Sequence, residues 1–271
     1  MLSVFTFFSC ETDPYIPSGE RPETPHYEIN VAVKDSVIYN GVFTEFFIEG
    51  NTNFTKAVYY IDDVFIDSVK EPPYKLRYRP RSLSPGTHTV KCHAIFPNFE
   101  LFREQKVESR LRLGEKFQGG IVFYLEADEL NGLVAADSDI SAVTWGDNIE
   151  VGANAVDGSI NTQKIIEITS DTSTQNIAYH FRNGYNYNEY TDWYVPSIEE
   201  LVKLKANKKL VGKFNETDVF PANFYYSSTE SNATESLGIS FAGESSASES
   251  IAKDTVANVR PVRKITYTNQ K

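Results

Sequence analysis

Cysteine, histidine and methionine are scarce in this chain: two, four and one among 271 residues. Two cysteines cannot make a disulfide framework or a four-thiolate zinc site, so any core has to come from apolar packing. A positive balance is missing too. The 26 basic side chains face 37 acidic ones, and a formal charge of −11 repels phosphate and argues against nucleic acid as a partner. No apolar run approaches the ~20 residues of a membrane-spanning helix. The four histidines, His26, His88, His93 and His180, stand at no catalytic or metal-ligand spacing. On a strand His88 and Cys92 face one way and His93 the other, so these three do not converge. Carboxylates are plentiful, but nothing singles out a catalytic pair. The expectation is a binding or structural protein with no cofactor, not an enzyme.

What the chain does hold is aromatic residues, 13% of the total, and enough length for two ordinary domains. Charge divides it further. Residues 1–26 carry one basic and four acidic groups, and residues 27–113 carry twelve and eleven. Residues 114–271 carry thirteen and twenty-two, a net of −9. The shift near Gly114 marks a domain boundary.

Met1 to Phe8 is almost wholly apolar and ends in Ser9-Cys10, after which Glu11, Asp13, Pro14, Pro17, Glu20, Pro22, Glu23 and Pro25 follow. An apolar run, a small residue and a cysteine resemble the lipobox of bacterial lipoprotein signal peptides. The resemblance implies lipidation of Cys10, with the Pro-rich stretch as a spacer from the bilayer. The acidic residues after the cysteine are similar to the export pattern of Bacteroides-type surface lipoproteins. The expected location is the outer membrane or cell surface, lipid-anchored.

Residues 27–113 read as a β-sandwich. Tyr74, Leu76 and Tyr78 alternate with Lys75, Arg77 and Arg79, and Val90, Cys92 and Ala94 alternate with Thr89, Lys91 and His93. Asp62-Asp63 sits between two apolar runs as a hairpin tip, and Pro85-Gly86 makes a turn. About seven short strands with no helical period suggest an immunoglobulin-like arrangement. Tyr60 to Asp67, Pro73-Tyr74 and the run Leu83 to Val90 resemble bacterial Ig-like domains.

Residues 114–271 mix periods. Gly119-Gly120 precedes an apolar strand, without the helix start that phosphate binding would need. Helices are expected over Lys164–Ile168 and Gln175–Arg182, and one after Pro196. There Ser197 and Glu200 make a capping box and Ile198, Leu201, Val202 and Lys205 form one face. Strands close the chain, giving an α+β pattern. The segments "GGIVFYL", "GLVAA", "WGDN", "YTDWYVPSIEEL", "FYYSSTE" and "VRPVR" occur in an order that resembles the Lcl C-terminal-type domain of bacterial collagen-like adhesins, from Gly114 to Ile265. The resemblance implies a C-type-lectin-like fold and surface adhesion to glycans. The expected fold class is therefore multidomain: an all-β Ig-like sandwich followed by an α+β C-type-lectin-like domain.

A ligand is expected on the loop around Tyr185, Asn186, Tyr187, Asn188 and Tyr190, with Trp145 a further candidate. Tyrosine pairs an apolar face with a polar tip, and Asn both donates and accepts, a combination suited to sugars. The partner expected is a neutral glycan or a surface protein, with the membrane reached through the lipid anchor. The alternatives are a structural or accessory component of a surface assembly and, less favoured, a carbohydrate-active enzyme. Mass spectrometry of membrane-expressed protein should find Cys10 acylated; an intact Met1 with a free Cys10 thiol would overturn the anchor.

Overall fold

The computed structural model describes residues 27–50, 54–170, 173–265 and 267; Cys10 and the Pro-rich segment lie outside them. The described residues are mostly β, with 41% strand and 12% helix. Among the described residues no helix is long and apolar enough to cross a membrane.

The first eight strands are β1 (Ile29–Val33), β2 (Val37–Tyr39), β3 (Thr44–Gly50), β4 (Lys56–Ile61), β5 (Val64–Val69), β6 (Leu76–Tyr78), β7 (Gly86–Ile95) and β8 (Glu100–Arg110). They form a three-stranded sheet, β1-β3-β6, and a five-stranded one, β2-β8-β7-β4-β5. Alternation decides which residues meet between them. In β7 His88, Val90, Cys92 and Ala94 face inward, and in β3 Thr44, Phe46 and Ile48 do. Phe46 and Tyr59 meet across the layers with ring centres 6.2 Å apart. Burial pushes the Cys92 thiol up to about 12, despite hydrogen bonds with Tyr59 and Val58 that favour the thiolate, so it is an inert core residue. Asp62 and Asp63 take φ values of +48° and +63°, the left-handed pair that a tight hairpin between β4 and β5 requires. Strand β2, unannounced by any alternation, pairs in parallel with β8.

The remaining elements are β9 (Lys116–Phe117), β10 (Gly120–Leu125), β11 (Gly132–Ala135), β12 (Ile140–Val143), α1 (Gly158–Ile168), α2 (Ile177–Phe181), α3 (Ile198–Ala206), α4 (Lys208–Val211), β13 (Phe224–Glu230), β14 (Glu235–Ser240), β15 (Glu249–Ala252), β16 (Ala257–Val259) and β17 (Val262–Ile265). One sheet runs β17-β11-β10-β9 and the other β12-β16-β13-β14-β15. The apolar run Ala257 to Arg263 is split into two strands at Pro261, which has no N–H to give to a ladder. Leu111, just after β8, packs into the core of this second unit, and its N–H donates to Glu129 O at 3.0 Å.

The capping box at Ser197 and Glu200 is present, and it does more than end a helix. Glu200 Oε2 accepts from Ser197 N at 2.8 Å and from Gly158 N at 3.2 Å, while Oε1 accepts the Tyr194 hydroxyl at 3.0 Å. One carboxylate thus joins the starts of α1 and α3. A Cβ on Gly158 would stand 2.4 Å from Val195 O, so only glycine permits this approach. The face that α3 buries is Glu200, Leu201, Leu204 and Lys205; Val202 turns outward instead, because the i, i+4 pairs 200/204 and 201/205 set the buried stripe and leave it at the margin. Helix α1 begins at Gly158, six residues before the expected Lys164, capped by Asp157, which accepts from Ser159 N at 3.0 Å.

A buried ion pair closes the other end. Lys253 Nζ lies 2.5 Å from Glu230 Oε1, donates to Ile149 O at 2.7 Å and sits 4.6 Å from the centre of the Trp145 ring. Burial opposes ionisation of Glu230, but Lys253 and the amides of Val151 and Gly152 outweigh it and hold the carboxyl below its ordinary 4.5. Its stabilising contribution is therefore complete above pH 4.5 and is lost as pH falls through the depressed native value. Glu230→Gln leaves Lys253 buried without its counter-charge, and denaturant unfolding at pH 7 should show a loss of about 3–5 kcal/mol. The variant should also have a shallower acid limb; an unchanged acid limb would assign the pair no part in acid stability.

Candidate functional site

Two short turns face each other across a cleft of about 230 Å³ lined by Lys116, Phe117, Gln118, Gly119, Gly120, Ile121, Asp137 and Asn188. The first turn joins β9 to β10. Gly119 has φ +82°, and a Cβ there would stand 2.6 Å from the Tyr190 ring, so glycine is required both for the turn and for contact with the second wall. The second turn is a miniature hairpin. Tyr187 N donates to Tyr190 O at 3.0 Å and Tyr190 N to Tyr187 O at 3.2 Å, with Asn188 and Glu189 at φ +49° and +70° between them. Asn188 Nδ2 donates to Gly119 O at 2.8 Å and links the two turns.

Arg263 supports both walls from below. Its guanidinium grips Asp192 through two bonds of 2.7 and 2.8 Å and donates to Gln118 O at 2.9 Å. It also lies 4.0 Å from the centre of the Tyr190 ring. Trp193, buried behind the hairpin, donates its indole N–H to Tyr187 O at 3.0 Å and meets the Tyr187 ring edge to face.

The floor of the cleft carries one anion. Asp137, just past β11, accepts a hydrogen bond from the Tyr187 hydroxyl and one of 3.0 Å from Lys213 Nζ. The Tyr187 bond foremost, then Lys213 with help from Lys116, outweighs burial and holds the Asp137 carboxyl below its ordinary value. Asp137 is thus an ionised acceptor at neutral pH. Arg260 fixes the segment behind it. Fully buried, it lies 2.5 Å from Asp139 and donates to Ala136 O at 3.1 Å, Gly212 O at 3.2 Å and Lys213 O at 2.9 Å.

Of the residues expected from the sequence, the structure brings Asn188 into the cleft lining and Tyr187 and Tyr190 to its hairpin wall. Tyr185 stacks parallel to Tyr187 with ring centres 6.1 Å apart, half-buried against Phe181. Asn186 is exposed between them. Trp145 must be withdrawn as a ligand contact: it is 0% exposed, its indole N–H donates to Ser227 O at 2.8 Å, and Lys253 covers the ring. Its neighbour Asp147 accepts from Ser170 N at 3.2 Å, and among the described residues no three His, Cys, Asp or Glu side chains gather as metal ligands. Asp137, Lys116, Phe117 and Gln118 went unnoticed in the sequence. The one signal there was Gly119-Gly120, a glycine pair that phosphate binding did not explain.

A second cleft, about 320 Å³, lies between Tyr124, Asp157, Glu200, Lys203 and Lys264, and its carboxylates serve the helix starts. Glu200 caps α3, Asp157 caps α1 and pairs with Lys264, and Lys203 sits 3.9 Å from the centre of the Tyr124 ring.

No protein family matches the chain, and no curated protein matches it by sequence. Solved structures that overlap it include a fimbrial protein from Bacteroides ovatus, 13% identical, with 86% of this chain and 70% of that one covered at a TM-score of 0.41. The CbhA fibronectin(III)-like modules of Clostridium thermocellum are 15% identical over 30% of this chain and 93% of that one, at a TM-score of 0.25. β-Glucuronidase 3 of Bacteroides uniformis is 15% identical over 40% of this chain and only 15% of the enzyme, at a TM-score of 0.26.

Trp145→Ala should cost about 3–5 kcal/mol in denaturant unfolding, the range for removing a buried aromatic side chain. A loss under about 1 kcal/mol, typical of a surface change, would put the indole back among the ligand candidates.

Proposed function

We propose that this protein is a lipid-anchored surface protein whose C-terminal domain binds a neutral glycan in the cleft between the Gly119 turn and the Tyr187–Tyr190 hairpin. The reading takes residues 114–271 as an Lcl C-terminal-type, C-type-lectin-like domain, residues 27–113 as an Ig-like stalk, and Cys10 as the anchor at the outer membrane or cell surface. The observation that carries it is the chemistry gathered around the cleft. An ionised acceptor at Asp137, the Asn188 and Gln118 side chains and the Phe117 ring line the cleft, and Tyr187, bonded to Asp137, stands in its hairpin wall. Hydroxyl pairs of a sugar donate to a carboxylate and accept from an ammonium such as Lys213, while its C–H face lies on a ring.

Charge points away from acidic ligands in this domain. Its net of −9 and the carboxylate on the cleft floor disfavour a polyanion there. A neutral sugar leaves the Asp137–Lys213 pair intact and adds hydrogen bonds to it.

A glycan array probed with the soluble chain from Glu11 should give neutral oligosaccharide hits. Asp137→Ala and Asn188→Gly, the second keeping the φ of +49° accessible, should each weaken the best hit about tenfold or more. Because the Asp137 carboxyl is depressed, wild-type binding should be flat through neutral pH and decline only below its ordinary 3.8. Silence on the array at high protein concentration would sink the glycan reading in favour of a protein partner or an assembly role, and turnover of a bound sugar would favour an enzyme.

A further inference from the structure

The acidic balance of the whole chain hides a basic stripe on the first module. In β6 and its flanks Leu76 and Pro80 point inward, and Lys75, Arg77 and Arg79 point outward from the three-stranded sheet, with Arg81 exposed just beyond. Outward residues of a strand repeat about every 7 Å, so these charges form a line, not a cluster. Among the described residues none of the four, nor Arg112, makes an ion pair with a carboxylate. The acids on the same face are Glu45, in register with Arg77, and Glu49 farther along β3; Glu115 lies near Arg112.

The stripe is built rather than loose. Asn40 Nδ2 donates to Leu83 O at 2.9 Å, Leu83 N donates back to Asn40 Oδ1 at 3.0 Å, and Gly41 N donates to Pro80 O at 2.7 Å. These bonds fix the turn before β3 against the strand that carries the bases. Arg79 Nε then donates to Gly41 O at 2.7 Å and Arg112 to Asn40 O at 3.0 Å. Both guanidiniums converge on one point, 3.8 and 3.7 Å from where a Cβ of Gly41 would stand. Like charges brought together without a counter-ion repel each other, and an incoming anion relieves that repulsion. Aromatic rings alternate with the bases: Phe43, 49% exposed, lies 3.9 Å from Arg77 and 5.6 Å from Arg79, and Lys75 lies 5.5 Å from Phe47.

We propose that this face docks a linear anionic polysaccharide, whose carboxylate or sulfate groups pair with Lys75, Arg77, Arg79, Arg81 and Arg112 while its sugar rings lie against Phe43 and Phe47. Charge complementarity selects the occupant: planar guanidinium forks match carboxylate and sulfate oxygens, and a row of them matches a repeating polymer. The −11 chain repels every polyanion alike; what favours a polysaccharide over nucleic acid on this face is the pairing of carboxylate or sulfate with sugar rings that can lie against Phe43 and Phe47. The face is separate in module and in charge from the cleft of the second domain and stands without it.

The test is titration of the chain from Glu11 with polygalacturonate and with heparin at 50 and 200 mM NaCl. At least one should bind, and four or five contacts predict a loss of about 10²-fold in affinity between those salts by counter-ion release. Lys75→Gln/Arg77→Gln/Arg81→Gln, which spares the Arg79 and Arg112 clamps, should weaken binding at least tenfold and flatten the salt dependence. The charge-preserving Lys75→Arg/Arg77→Lys/Arg81→Lys variant should keep the wild-type salt dependence and bind more tightly than the triple Gln variant, short of wild type by what the two lost guanidinium forks contribute, and Lys209→Gln should bind as wild type. Binding of polygalacturonate shows that carboxylate suffices, and binding of heparin alone shows that sulfate is required. No binding of either at 50 mM NaCl, or wild-type affinity in the triple Gln variant, would overturn the proposal. So would equal, stripe-dependent binding of a 20-nucleotide single-stranded DNA or of phosphatidylglycerol vesicles, which would give the face to nucleic acid or membrane.

Discussion

A guanidinium taken out of water must be surrounded by acceptors, and two such groups from "VRPVR" organise the second domain. Pro261 separates β16 from β17, which belong to different sheets, and Arg260 and Arg263 on either side of it take different partners. Arg260 collects Asp139 and three backbone carbonyls, two of them in the loop of Gly212 and Lys213. Arg263 collects Asp192 and Gln118. The cleft lies between these two collections. Its carboxylate at Asp137 receives Lys213 from the loop that Arg260 holds, and its turns are held by Arg263 and Asn188. Binding geometry and fold stability therefore share the same bonds, which is how a small cleft made of loops can be pre-organised.

Charge is arranged by role more than by sum. Of the acids that make the second domain negative, Asp139, Asp157, Asp192, Glu200 and Glu230 each satisfy a buried cation, a helix start or both. The first module, near neutrality overall, instead sets Lys75, Arg77, Arg79 and Arg81 in an unpaired row along one sheet face. Net charge alone would have described one acidic protein. The structure describes a cleft whose one carboxylate is paired with lysine and a basic face, carried on separate cores, Leu111 marking the passage from one to the other.

Local rules made much of the fold legible. Alternation located most strands of the sandwich, Asp62-Asp63 its tight hairpin, and Ser197 with Glu200 the start of α3. Each of these depends on residues close in sequence. Helix α1 was cut short because its first two turns, Gly158 to Gln163, carry polar residues whose partners lie elsewhere: Thr162 bonds to Val195 and Gly158 to Glu200. The site divided in the same way. The tyrosine and asparagine loop stood out by composition, whereas Asp137 is an ordinary acid until Tyr187, 50 residues on, and Lys213, 76 residues on, are folded against it. Trp145 misled for the complementary reason. An indole flanked by Gly146, Asp147 and Asn148 reads as a polar loop, and only Ser227 and Lys253, far along the chain, show it to be core.

The most direct measurement is a crystal structure of the chain from Glu11 grown with the neutral oligosaccharide that binds it best in solution. A sugar ring should lie between the Gly119 turn and the Tyr187–Tyr190 hairpin, with hydroxyls about 2.7–3.2 Å from the Asp137 carboxylate and the Asn188 side chain. An ordered sugar seated only elsewhere, or an empty cleft in crystals saturated with that sugar, would contradict the assignment.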